Sequence, residues 1–328
     1  MKSVRRNRQA RIARQKALAR FNHAGKASQG RRAPASARAP IRAHDCASTI
    51  PQVRRLAPRN KRSMTEHVLS AAPPANVQLV SLAKPLSLAL FGLGLGGLGV
   101  TALLQVDFAL QWQPVPAEVP GREWLALANG VGMLLAGLAL WSRRLRPTAA
   151  FCLAVYLAVW VIVLHTPRFV SGVEVAWLGM AEATAMASGM WAIAASSSAR
   201  QSWPFGESGA RMARLAFAVA LPVFGLSHFL YADFTAAMVP AWMPQPLFWA
   251  YFTGAAHAAA GVGLLFGIFP RLAATLEAVM VTSFALLLHA PRVIAAPHER
   301  VEWTMLCIAA ALAGAAWSIA ASLRRIGR

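Results

Sequence analysis

Two short segments, His165-Thr166-Pro167-Arg168 and His289-Ala290-Pro291-Arg292, place an imidazole three residues before a guanidinium in an otherwise apolar chain. Asp107 and Asp233 stand in matching contexts upstream, and His228 lies five residues before Asp233. If these groups converge on one membrane face, they suit an anion or a quinone head group. Helix ends explain the His-x-Pro-Arg segments equally well, since proline ends a helix and basic side chains favour its carbonyl end. His228 reads either as a quinone-binding or proton-exchanging imidazole or as an interfacial side chain reaching for headgroups.

His257, Glu182 and Glu277 lie within apolar stretches. Ionisable groups there are costly in hydrocarbon, so they should face a helix bundle interior. His257 sits among Ala and Gly, where an interhelical hydrogen bond is the plain expectation; haem ligation would need a second His at matching depth. Glu277 follows Arg271 by about a turn and a half, which suggests a cytoplasmic ion pair. Glu182 has no obvious charged partner. No Ser-His-Asp order, phosphate loop or clustered ligand set names a reaction, so neither a catalytic residue nor a metal site is expected. Cys46, Cys152 and Cys307 are too scattered for a disulfide framework or a zinc site. No cofactor is expected outright, and a quinone is the open candidate.

The elements that must position these residues are membrane helices. The 328 residues are 57% hydrophobic and 14% charged, too apolar for an ordinary soluble domain. The net charge of +21 is concentrated: residues 1 to 63 hold 18 of the 33 Lys and Arg and one acid, Asp45. That extension cannot bury a core and is expected to be disordered, as a basic arm or an Arg-rich presequence, with Met64 as an alternative start. No specific nucleic-acid binding is expected. Beyond it, eight apolar stretches of bilayer-spanning length run approximately Leu86–Leu104, Trp124–Trp141, Thr148–Leu164, Val175–Ala195, Met212–Leu230, Phe248–Phe269, Leu272–Leu288 and Trp303–Leu323. The glycines of Gly92 to Gly99 lie inside the first and read as a close-packing face.

An internal repeat organises these stretches. At an offset of 124, Val115–Pro120 overlies Val239–Pro244, Gly130 overlies Gly254, and His165–Arg168 overlies His289–Arg292. At 126, Gly99 overlies Gly225, Asp107 overlies Asp233, Trp177 overlies Trp303 and Trp191 overlies Trp317. The expected fold is therefore all-α: a polytopic membrane protein of two tandem four-helix transmembrane bundles, residues 86–200 and 212–325, behind the extension 1–85. Loop arginines such as Arg143, Arg144, Arg211 and Arg214 outnumber those on the other side, which places both termini in the cytoplasm. The Trp pairs, fourteen residues apart, would mark the two interfacial belts of the fourth and eighth spans.

The segments Gly225–Pro244, Phe248–Ala274 and Leu286–Val293 resemble the DoxX-like family of small four-helix bacterial membrane proteins. The first repeat resembles it less, with Ala102 and Met133 where the second has His228 and His257. The resemblance implies a multi-pass protein of the bacterial inner membrane and, as partners, respiratory or redox membrane subunits besides the lipid bilayer. The functions it leaves open are an accessory subunit without its own catalytic motif, a quinone-linked oxidoreductase subunit, and a small-solute transporter working between the repeats.

Overall fold

The computed structural model describes residues 75–173 and 175–323, so the expectations on residues 1–74, Met64 included, lie outside the described residues. The described residues form one compact unit. Among the described residues there are helices and no strands, as an apolar chain requires when lipid offers its backbone no hydrogen-bond partner. The helices are α1 (Ala75–Gln105), α2 (Arg122–Ala139), α3 (Arg146–Val159), α4 (Thr166–Val170), α5 (Ala176–Ser197), α6 (Gly206–Leu230), α7 (Ala232–Met238), α8 (Pro246–Phe266), α9 (Pro270–Ser283), α10 (Ala290–Ala295) and α11 (Arg300–Ser322). π-helical turns Trp160–His165 and Phe284–His289 join α3 to α4 and α9 to α10, and a 3-10 turn covers Leu110–Trp112.

The prolines of the two His-x-Pro-Arg segments do not stop their helices, contrary to the sequence expectation. Pro167 and Pro291 fall in the first turn of α4 and α10, where a missing N–H costs little. The preceding turn widens to the π form, and the N–H of Thr166 and of Ala290 bonds the carbonyl five residues back, Val161 and Ala285.

Among the described residues the result is eight long rods with the short α7 beside them. Five are long and apolar enough to cross a membrane: Leu82–Gln105, Arg146–Val170, Gly206–Leu230, Pro270–Ala295 and Arg300–Ser322. The remaining three, α2, α5 and α8, dilute their apolar content with Ala, Gly and polar residues such as Asn129, Glu182 and His257. Large apolar side chains point outward, Leu104 at 75% exposure and Ile294 at 80% among them, as lipid contact demands.

Each half sets its first helix against the last helix of the other: α1 packs on α11, and α6 on α5. α5 and α11 also touch. The expected pair of four-helix bundles therefore does not stand apart, and the halves share one core. Small residues allow the close approaches. A Cβ on Gly94 would lie 2.6 Å from Ala311 N, one on Gly99 2.7 Å from Gly130 O, and one on Gly225 2.6 Å from Gly254 O. The crossings α1 on α2 and α6 on α8 thus use glycine pairs at matching positions of the two halves. Trp317 is buried with its indole N–H on Thr282, so it packs the core and marks no interfacial belt.

Candidate functional site

A cavity of about 470 Å³ lies between α5, α6, α8, α9 and α11. Its polar residues include those that the apolar stretches could least accommodate: Glu182, His228, His257, Glu277 and His289. His257 and Glu277, 3% and 1% exposed, share a hydrogen bond of 2.8 Å between Nδ1 and Oε1. This interhelical bond is the one expected of His257. Its partner is not the one expected of Glu277, because Arg271, six residues back, lies on another face of α9 while Glu277 points inward.

The rings of His228 and His257 are 5.1 Å apart between centroids, and Phe224 and Phe284 flank His257 at 5.6 and 6.0 Å. Thr253 Oγ1 donates to Trp249 O at 2.8 Å and lies 3.1 Å from His228 Nδ1. A Thr253 hydroxyl that gives its proton to the backbone accepts from Nδ1–H, and in that tautomer His228 keeps Nε2 as an acceptor. His228 therefore turns into the protein and not out to headgroups. Two buried atoms at this site, Glu277 Oε2 and His289 Nδ1, have no partner among the described residues.

The remaining outer-face candidates do not join this cluster. Arg292 turns to Glu302, Nε and Nη2 donating to its two carboxylate oxygens at 2.8 and 2.7 Å. Asp107 holds Arg122 at 2.5 Å and Arg300 at 2.8 Å, and Arg300 also reaches the Phe108 carbonyl. Burial is the largest influence on Asp107 and opposes its charge. Hydrogen bonds from Arg300, the Phe108 N–H and Arg122 outweigh it and hold the carboxyl below its ordinary range. His165 is buried with Nε2 3.1 Å from Trp112 O, its ring in a space that a Cβ on Gly179 would close. Arg168 is half-buried on α4, and Asp233 is exposed on α7. So His228 and His289 come together with His257, Glu182 and Glu277, whereas Asp107, His165, Arg168, Asp233 and Arg292 do not line the cavity.

The clasp of Asp107 and Arg300 bears on the cavity, because it anchors the segment that carries Trp112 into the cavity wall. The roles of Trp112, Arg300 and Glu302 were not read from sequence. The partners of Trp112 and Arg300 lie far along the chain, and Glu302 meets Arg292 ten residues back across a turn, so nothing in local spacing announces them.

The first half is built differently at the corresponding positions. Ala102, Met133 and Leu153, all buried, stand where the second half has His228, His257 and Glu277. Its internal polar set is instead Gln113, Asn129 and Tyr156, which bond one another: Gln113 Nε2 donates to Asn129 Oδ1 at 3.0 Å and Tyr156 O–H to the same oxygen.

Residues 209–290, which supply most of the cavity wall, match the family model described as DoxX. No curated protein and no solved structure matches the chain.

Proposed function

We propose that the chain is an integral membrane protein of DoxX-like type whose second half binds a small lipophilic molecule within the bilayer. In this reading eight spans arise from a duplicated four-helix module, with both termini on the cytoplasmic side of a bacterial inner membrane. Matching π-helical turns and glycine crossings in the two halves support the duplication. The observation that carries the binding reading is the cavity, mostly apolar with a few convergent polar groups that include the buried His257–Glu277 pair. The chain has no catalytic motif of its own, and service to a membrane redox complex as an accessory subunit rests on the family resemblance.

The test uses the full protein in lipid nanodiscs, with Trp112 and Trp249 in the cavity wall as reporters. A short-chain benzoquinone and a phenylalkyl amine are titrated separately. At least one should change tryptophan emission saturably, and Ala309→Phe, which fills the cavity from α11, should abolish that change. Non-saturable partitioning of both probes, equal in the two proteins, would refute a binding site.

A further inference from the structure

The carboxyl groups of the cavity have fewer donors than oxygens among the described residues. Its four serine and threonine hydroxyls all give their protons to backbone carbonyls: Ser227 to Phe224 at 2.7 Å, Thr235 to Tyr231 at 3.1 Å, Thr253 to Trp249 at 2.8 Å and Ser283 to Met280 at 2.6 Å. Trp249 donates its indole N–H to Pro244 O at 3.1 Å, and Trp112 faces the carboxyl of Glu182. The carboxyl groups are less committed: Glu277 Oε2 is buried without a partner among the described residues, as is His289 Nδ1, and Glu182 is half-buried in the wall. Among the described residues no Lys or Arg lines the cavity, while the rings of Phe217, Phe224, Phe284 and Trp249 do.

An acceptor-only ligand such as a quinone offers nothing to the unpartnered oxygen of Glu277. From this imbalance we infer that the cavity selects a lipophilic cation, an apolar molecule carrying a protonated amine, with the ammonium donating to Glu277 and Glu182. The inference rests on the ligand-site reading above and names the chemistry of that ligand. Its physical basis is complementarity: an ammonium satisfies the orphaned carboxylate oxygen, neutralises charge that the hydrocarbon penalises, and meets aromatic faces that attract cations. The titratable groups lining the cavity are Glu182, His228, Tyr231, His257, Glu277 and His289.

The experiment compares 4-phenylbutylamine, 4-phenylbutanol and a short-chain benzoquinone on the full protein in nanodiscs, by calorimetry. The amine should bind at least about tenfold more tightly than the alcohol at a pH where the alkylamine is charged. Glu277→Gln should weaken the amine about tenfold or more and leave the alcohol within about twofold; Glu182→Gln provides the same test if the first variant does not fold. The comparison of ligands on the unaltered protein needs neither variant. Equal affinity for amine and alcohol overturns the inference, as does unchanged amine binding in both Gln variants. Saturable binding of the quinone alone also overturns it while leaving the site itself standing, and absence of binding by all three removes both.

Discussion

The pair of His257 and Glu277 offers a quantitative test, because the chain contains its own apolar replacement. Met133 and Leu153 stand at the matching positions of the first half, 2% and 4% exposed. Replacing one partner alone, as in Glu277→Leu, leaves a buried imidazole without its 2.8 Å partner. If the pair is ionic, breaking it costs about 3 to 5 kcal/mol. If it is a neutral interhelical hydrogen bond, membrane precedents set the loss nearer 0.6 kcal/mol. The size of the loss in the single variants therefore distinguishes the two cases. The double replacement His257→Met with Glu277→Leu removes both polar groups together and should be neutral or stabilising by about 1 to 4 kcal/mol. Apparent thermal midpoints in one fixed detergent would give the ranking. Each single variant should lie below the parent and the double variant at or above it. A double variant destabilised by the sum of its two singles would show that the pair is not coupled, and the account of the site would fail with it.

Asp107→Asn removes the charge that holds Arg122 and Arg300 and should cost about 1 kcal/mol, since all three side chains keep roughly a quarter of their exposure. The same carboxyl is depressed below its ordinary 3.8, so the parent has this contribution in full above that value and loses it as pH falls through the lowered one. Denaturation midpoints of parent and Asp107→Asn should therefore converge in acid; a gap that persists well below pH 3.8 contradicts this. Arg292→Ala leaves Glu302 without its bidentate partner and should lower stability by about 1 kcal/mol after allowance for the exposure of Arg292, yet leave ligand affinity unchanged in the nanodisc titration. Gly225→Leu places a side chain where a Cβ alone would meet Gly254 O at 2.6 Å, and a loss of about 1 to 3 kcal/mol is expected in the melting assay. Deletion of residues 2 to 63 should leave membrane insertion intact, and a reporter fused after Arg328 should be active only in the cytoplasm; loss of insertion, or activity on the outer side, refutes the respective expectation.

How much the sequence disclosed depends on the range of each interaction. Helix type and approximate limits follow from local apolar length, and the glycine crossings from spacing, so both were legible. His228, His257, Glu182 and Glu277 announced themselves because charge and imidazole are expensive in hydrocarbon. Their convergence was not legible, since it depends on which helices neighbour one another. Arg292 illustrates the failure: its match with Arg168 suggested a shared polar face, but Glu302, ten residues on, captures it. The two prolines misled for another reason. A π turn absorbs the residue that would have broken the hydrogen-bond ladder, and no residue type encodes that turn unambiguously.

The placement of α1 against α11 and of α6 against α5 has a consequence for how such a molecule can change. Under the duplication proposed here, this exchange is the contact that two identical modules would make across a symmetric dimer, each lending its leading helix to the other. Fusing them into one chain ends the obligation of symmetry: a substitution no longer appears twice. One half is then free to keep an ionisable cavity while its twin fills the same positions with Ala102, Met133 and Leu153 and serves as its scaffold.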